Sequence, residues 1–246
     1  MRECFNEQTV PIFSGHEVGE DSYLTPKVLR RLFQRIAYEN INTLKCCDLP
    51  DLIKKTNLGI DLPCLFTFDD GYKSDLKIVF PLAREFGVQV TFFINPTRVM
   101  EADKISSSPY LNSEEVRRLA EFPNVEIGSH CFSHCYGISN AERRISTIEF
   151  YSTYDVDSAW WSDFCRRWLR QEIVESRRFL QELTGSKIYS LSWPYGKSCD
   201  HAETMAAQAG YSITFCELQG KKVSMNGSCR GLRRYPIRRP FWMRIV

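Results

Sequence analysis

The chain has 246 residues, of which 43% are hydrophobic and 25% are charged. These proportions exclude an intrinsically disordered chain and allow one domain with a sizeable core, so residues 1–246 are predicted to form a single domain. The formal net charge of +2 provides no general field to attract a polyanion, and we predict no nucleic-acid partner.

Basic side chains are nevertheless concentrated at one end of the sequence. Eight Lys or Arg residues and no acidic residue follow Glu217. We predict that residues 218–246 are a basic tail that is solvated and partly flexible. The alternative is that this tail binds a polyanion or makes a peripheral contact with an anionic membrane surface.

The ten cysteines bear on the cellular compartment. No secretory-type apolar segment opens the sequence, and no apolar run approaches the ~18 residues that span a bilayer. The expectation is a cytoplasmic protein, without a transmembrane segment, whose thiols are reduced and mostly buried. A trimmed secreted protein is the competing interpretation.

Strand-like and helix-like segments alternate along the chain. Thr25 and Pro26 are a cap and a first helical residue, and Asn112 with Glu115 has the spacing of a capping box. Strands are predicted over 9–13, 42–44, 64–68, 88–94, 125–127, 188–192 and 211–216. Helices are predicted from 26, 75, 158 and 200, and after the caps Asp48 and Asn112. This alternation predicts parallel strands joined by helical crossovers.

Two polar motifs follow predicted strands, at the edge where parallel α/β folds place their chemistry. Asp69 and Asp70 end the strand 64–68, and His130 and His134 follow the strand 125–127. One Asp with two His is a common ligand set for a hydrolytic metal site, which leaves the other Asp as a base. Ser129 and Ser133 are expected to orient the imidazoles. A simple turn remains the alternative for the Asp pair.

Three motifs in this order, Thr-Phe-Asp-Asp-Gly, His-x-x-x-His and Trp-Pro-Tyr-Gly, resemble the polysaccharide deacetylase family, carbohydrate esterase family 4 or NodB-homology domain. The aromatic-Pro-Tyr-Gly form is most similar to the poly-N-acetylglucosamine deacetylases. The resemblance implies an α/β fold, a distorted (β/α)7-type barrel. It also implies a divalent metal, and removal of N-acetyl groups from an amino sugar in a polysaccharide, oligosaccharide or glycoconjugate.

The resemblance also implies roles for individual residues. Asp70, His130 and His134 match metal ligands, most simply for Zn²⁺, with Mn²⁺, Co²⁺ or Ni²⁺ as alternatives. Asp69 matches the general base, and the backbone N–H of Tyr195 matches an oxyanion donor.

Two departures from the usual family pattern affect the catalytic groups. Ser192 and Trp193 stand before Pro194 where the family usually has an Arg that orients the base, so that tether is missing. The usual C-terminal His, the general acid, is also absent, and His16 matches the position from which the similar subgroup takes its acid.

Substrate contacts are predicted for Trp193, Pro194 and Trp160, because both tryptophans lie outside the helical stripe of the aromatic segment. Two other functions stay open. The same barrel could hydrolyse a different amide, such as a formamide or cyclic ureide. It could also be a catalytically weak glycan-binding pseudoenzyme.

Overall fold

The computed structural model describes residues 10–54, 63–134, 167–196, 198, 200–217 and 228–237. Its strands are β1 Ile12–Gly15, β2 Thr43–Leu44, β3 Cys64–Asp69, β4 Val90–Ile94, β5 Val125–Ser129, β6 Ser190–Ser192, β7 Ile213–Cys216, β8 Leu232–Arg233 and β9 Tyr235–Pro236. Its α-helices are α1 Pro26–Tyr38, α2 Leu49–Lys54, α3 Phe80–Phe86, α4 Pro96–Ala102, α5 Ser113–Ala120, α6 Ser176–Thr184 and α7 Asp200–Gln208. Single π-helical turns, Asp75–Val79 and Gln171–Glu175, lead into α3 and α6.

The strands form one parallel sheet in the order β8-β7-β6-β5-β4-β3-β1-β9, and β2 pairs with the beginning of β3. The two ends of this order, β8 and β9, are separated in the sequence only by Arg234. Arg233 pairs with Cys216 of β7, and Tyr235 pairs with Phe13 of β1. The segment 232–236 therefore closes the sheet into a barrel, which confirms the predicted (β/α)-type barrel.

Alternation along the strands divides the apolar core in two. One cluster packs the outer face of the sheet against the helices and includes Phe66 and Phe92. The other contains Leu65, Phe93 and Phe215 and fills the barrel interior. The interior is so tight that a Cβ on Gly128 would lie 2.4 Å from the Phe93 ring.

The local signals account for the helices that position the barrel. The Thr25 hydroxyl caps α1 by accepting the Val28 N–H, and Pro26 is the first helical residue. The stripe of Leu29, Leu32, Phe33 and Ile36 is fully or almost fully buried. Asn112 and Glu115 form the reciprocal capping box at α5. Among the described residues, no helix is long and apolar enough to cross a bilayer.

Three predictions about the elements need correction. The first strand lies at Ile12–Gly15 instead of 9–13, and α4 was not predicted although Asn95 caps it with Pro96 at its first position. The tail is not simply solvated, because residues 228–237 complete the barrel and Arg234 has no exposed surface. The first third of the predicted helix 158–183, residues 158–166, lies outside the described residues.

Candidate metal centre and catalytic groups

Asp69 and Asp70 lie where β3 ends at the carboxyl edge of the barrel. Both are buried, with 1% and 7% exposure. Asp70 and Gly71 both adopt left-handed backbone conformations, with φ of 80° and 71°, a region that Asp and Gly tolerate better than most residues. This turn at the strand end separates the environments of the two adjacent carboxylates.

Asp70, His130 and His134 converge on one point. Their potential ligand atoms all lie within 4.8 Å of one another. Asp70 Oδ1 is 3.6 Å from His130 Nε2 and 3.2 Å from His134 Nε2. Two ligand atoms each ~2.1 Å from a tetrahedral ion would be about 3.4 Å apart, so these distances suit a shared metal.

Other features of the two buried ligand candidates also fit a cation. In the described part of the chain, Asp70 Oδ1 is buried without a hydrogen-bond partner of standard geometry, and the cation Arg98 already lies 2.5 Å from it, so this oxygen is placed to meet positive charge. Burial alone would raise the pKa of Asp70, but contact with His134 and the charges of His130 and Arg98 lower it to about 2. Asp70 is therefore an anion at neutral pH.

His130 is held as a neutral donor. Its Nδ1 lies 2.8 Å from the Ser192 carbonyl oxygen, which can only accept, so the proton is on Nδ1 and the Nε2 lone pair faces Asp70. Burial lowers the pKa of His130 to about 4, against the opposing charges of Asp69 and Asp70. A neutral imidazole is the form that binds a metal.

The serines beside the histidines do not orient the rings as predicted. The Ser129 hydroxyl pairs with the Ser176 hydroxyl at 2.6 Å, and the Ser133 hydroxyl donates to Glu172. The Ser192 carbonyl performs this function for His130 instead. A backbone carbonyl carries no sequence signal, so this partner could be found only from the strand register.

Asp69 has a counter-charge that the sequence analysis missed. Arg234 donates from Nη1 to Asp69 Oδ1 and from Nη2 to Asp69 Oδ2, both at 2.7 Å. Its guanidinium also reaches Thr67 Oγ1 at 3.2 Å and Glu217 Oε1 at 3.5 Å. The tether that the third motif lacks is thus provided by the segment 232–236, within the predicted basic tail.

This arrangement fixes the charge state of Asp69. Burial by itself raises the pKa of Asp69, but the charge and hydrogen bonds of Arg234, with His130 and His16, hold it well below its usual range. The Ser192 hydroxyl is a further donor at 3.4 Å. Asp69 is consequently an oriented carboxylate at neutral pH, as a general base must be.

His16 approaches the same Asp69 oxygen that accepts from Arg234 Nη2. Its Nε2 is 3.9 Å from Asp69 Oδ2, and its Nδ1 is 3.2 Å from the Tyr23 hydroxyl. The His16 side chain is 41% exposed, so it is accessible from solvent. The structure therefore brings the predicted acid next to the predicted base.

Tyr195 is the exposed member of the third motif. Its backbone is left-handed, with φ of 58°, and its ring lies 5.1 Å from that of His134. The following Gly196 is also left-handed, and a Cβ there would collide with Glu217 at 2.1 Å. The motif's glycine is thus required by close packing.

The predicted substrate contacts of Trp193 and Pro194 are wrong in this structure. Trp193 is only 3% exposed, and its Nε1 donates to Glu203 Oε1 at 2.7 Å. Pro194 is also buried. A buried indole with a paired N–H is a packing element and has no free face for a sugar. Trp160 lies outside the described residues.

One cation beside Asp70 was not predicted. Arg98, on α4, places Nη1 2.5 Å from Asp70 Oδ1, although the angle is not that of a hydrogen bond. Its guanidinium stacks 4.5 Å from the Tyr110 ring centroid, and Tyr110 in turn contacts Tyr72. The Asn95-Pro96 capping signal for α4 was the clue that would have placed Arg98 near the site.

A parallel barrel with Asp, His and His gathered at its carboxyl edge, beside a separate carboxylate, defines a metal-site hydrolase architecture. Residues 63–214 match the family described as "Polysaccharide deacetylase". This match covers more than half of the 246 residues, and the chain belongs to the polysaccharide deacetylase family. Its members depend on a metal, and the Asp70, His130 and His134 cluster is the candidate site here.

Individual relatives agree with this assignment. The chain is 26% identical over 163 residues to the poly-beta-1,6-N-acetyl-D-glucosamine N-deacetylase of Escherichia coli (strain K12). That similarity covers 61% of this chain and 24% of the relative, so this chain matches about a quarter of that protein.

Solved structures show the same fold. A de-N-acetylase from Aggregatibacter actinomycetemcomitans has a TM-score of 0.75 at 18% identity, covering 92% of this chain and 93% of that one. IcaB from Ammonifex degensii has a TM-score of 0.75 at 17% identity, covering 96% and 95%. The deacetylase PplD from Streptococcus pyogenes has a TM-score of 0.72 at 15% identity, covering 94% and 93%.

Proposed function

We propose that this chain is a metal-dependent N-deacetylase that removes acetyl groups from N-acetylated amino sugars in a glycan. The observation that carries the proposal is the division of labour between the two adjacent aspartates. Asp70 faces two imidazole Nε2 atoms, whereas Asp69 is held ionised by Arg234. Family membership and the N-deacetylase relative support the reaction type.

Asp70, His130 and His134 would hold the metal, and Zn²⁺ suits a set of one oxygen and two nitrogen donors. A divalent ion bound there would act as a Lewis acid toward a carbonyl and would acidify a water molecule. The neutral His130 and anionic Asp70 are already in the protonation states that ligation requires.

The remaining chemistry belongs to groups of the chain itself. Asp69 accepts a proton from the attacking water, and Arg234 keeps its two oxygens oriented and unprotonated. The backbone N–H of Tyr195 donates to the developing oxyanion, a contribution that is typically worth ~3 kcal/mol. His16 donates a proton to the departing amine, because expulsion of an unprotonated amine is slow.

The first experiment compares metal content with acetate release. The substrates are N-acetylglucosamine oligomers, with a formamide and a cyclic ureide assayed in parallel. We expect Asp69→Asn to keep its metal and lose at least about 100-fold in rate, and Asp70→Asn to lose the metal. Asp51→Asn is the matched control, since Asp51 is highly exposed on α2 and pairs with the similarly exposed Lys54.

The outcomes separate the functions that the sequence left open. Acetate release that depends on both Asp69 and the metal supports the N-deacetylase. Turnover of only the formamide or ureide would assign a different amide. Metal binding without any turnover would indicate a glycan-binding protein, and near-full activity of Asp69→Asn would refute the base assignment.

A further inference from the structure

The segment His130–His134, here called the histidine loop, has an energetically unfavourable backbone conformation. Cys131 and His134 are both left-handed, with φ of 58°. Each such non-glycine residue costs ~1–2 kcal/mol, so surrounding contacts must hold the loop in this shape. Its shape in turn sets where the two imidazoles lie relative to Asp70.

One face of the histidine loop is held through its carbonyl oxygens. Thr97 donates to the Phe132 oxygen from its backbone N–H at 3.0 Å and from its hydroxyl at 2.9 Å. Asn95 Nδ2 approaches the carbonyls of His130 and Cys131 at 3.4 and 3.5 Å. These contacts fix the acceptors of the loop and leave its amide donors to be satisfied elsewhere.

The His130 N–H donates to the Ile94 carbonyl oxygen at 2.9 Å, and a single buried carboxylate accepts two further amide donors. Glu172, which is 2% exposed, accepts the N–H of Phe132 at 3.0 Å and the N–H of Ser133 at 2.9 Å on Oε2. Its Oε1 accepts the Ser133 hydroxyl. Glu172 lies in the π-helical turn Gln171–Glu175, and such turns are frequent at functional sites.

We propose that Glu172 is a positioning residue that sets the metal affinity of this site by fixing the spacing of the His130 and His134 imidazoles. The inference rests on the proposed metal-dependent function. In the contacts above, Glu172 accepts from the backbone of Phe132 and Ser133, two of the three residues between the histidines, and it acts through that backbone. Partners that orient metal ligands typically contribute about 10- to 100-fold in metal affinity.

The test measures Zn²⁺ affinity by competition with a chromophoric chelator, so it does not depend on turnover. Glu172→Gln is the matched control, because its Oε1 can accept both backbone N–H groups and its Nε2 can donate to the Ser133 oxygen. We expect Glu172→Gln to stay within about 3-fold of the wild type. Glu172→Met has similar length and no acceptor of comparable strength, and we expect Zn²⁺ to bind about 10- to 100-fold more weakly.

The Glu172→Asp variant provides a second test of the proposal if Glu172→Met does not fold. It keeps the charge but withdraws the carboxylate by one methylene, so we expect weaker Zn²⁺ binding than in Glu172→Gln. The visible spectrum of the Co²⁺-loaded protein should change in Glu172→Asp and not in Glu172→Gln, because it reports ligand geometry.

The failures are distinguishable. Wild-type Zn²⁺ affinity in a folded Glu172→Met or Glu172→Asp variant would overturn the role of Glu172 and leave the proposed function intact. If the wild type itself binds no Zn²⁺, Mn²⁺, Co²⁺ or Ni²⁺, both the proposed function and this inference are overturned.

Discussion

Replacing Arg234 tests how the general base is kept ionised. In Arg234→Met, Asp69 stays buried but loses two hydrogen bonds of 2.7 Å and its main counter-charge. Breaking a buried pair in this way costs about 3–5 kcal/mol if the remaining charge persists. One pKa unit corresponds to about 1.4 kcal/mol, so the pKa of Asp69 should rise by about 2–4 units as protonation relieves this cost.

The raised pKa of Asp69 should change the pH dependence of the reaction rate. A base with a raised pKa is protonated over more of the acidic range, so the acid limb of the rate profile should move to higher pH. The pKa of Asp69 starts well below its usual range, so the raised pKa still lies below neutral pH. We therefore expect the rate loss to be largest near pH 5 and to shrink toward pH 7, where only the lost orientation of the carboxylate still slows the reaction. Arg234→Lys keeps the charge but loses the two-pronged geometry, and we expect an intermediate loss.

The assay is acetate release by metal-loaded protein across pH 5 to 9, with metal content measured for each variant. A folded, metal-loaded Arg234→Met protein whose acid limb and rate match the wild type would refute the reasoning. Unfolding in urea, followed at the same pH values, separates a change in Asp69 from a general loss of stability.

Three further predictions concern other groups. The Tyr23 hydroxyl contacts His16 Nδ1 and is expected to orient this general acid, so Tyr23→Phe should slow amide hydrolysis several-fold. Hydrolysis of an aryl acetate should be nearly unaffected, because its phenolate leaves without a proton from His16. Equal rate losses on both substrates would contradict an orienting role for Tyr23. Asp75 is fully buried, and burial together with the charges of Asp70 and Asp69 raises its pKa well above the usual value. Asp75→Asn should therefore preserve or increase the urea midpoint at pH 7, and a large decrease would show that Asp75 is ionised. Finally, His130 has a pKa near 4 in the fold against about 6.5 when unfolded. Between these two pH values the unfolded chain binds a proton at His130 that the folded protein does not. The contribution of His130 to the free energy of unfolding of the metal-free protein should therefore fall by a few kcal/mol as the pH drops from about 6.5 to 4. The His130→Gln variant should lack this pH dependence.

The sequence predicts the parts of the site that lie next to strand ends. Asp70, His130 and His134 are each within a few residues of a predicted strand, and parallel strands bring their carboxyl ends to one edge. Their convergence therefore follows from pattern and topology together. The observed strand bounds differ from the predicted ones by up to three residues, because apolar runs do not mark where the hydrogen bonds between strands stop.

Arg234 could not be predicted in the same way. It depends on two strands of only two residues each, β8 and β9, which pair with opposite ends of the sheet. The alternation of Leu232 and Arg234, both fully buried, is the local trace of this arrangement. A run of basic residues usually indicates a solvated segment, and only the closure of the barrel shows that one of them is buried.

Trp193 illustrates the opposite error. Its position outside a helical stripe suggested exposure, but its environment is set by Glu203 on α7 and by the β6–β7 pairing. A side chain's exposure after a strand depends on what the next crossover places over it. Spacing within one segment carries no information about that neighbour.

Arg234 lies where the barrel closes and also keeps the Asp69 base ionised. Arg234 stands between the strand that pairs with β7 and the strand that pairs with β1. Until those two edges meet during folding, Asp69 lacks its partner and its burial favours the protonated acid. A protein loosened along this junction would keep its metal ligands but lose the cation that orients and ionises its base, so the rate of proton abstraction reports whether the ring of strands is closed.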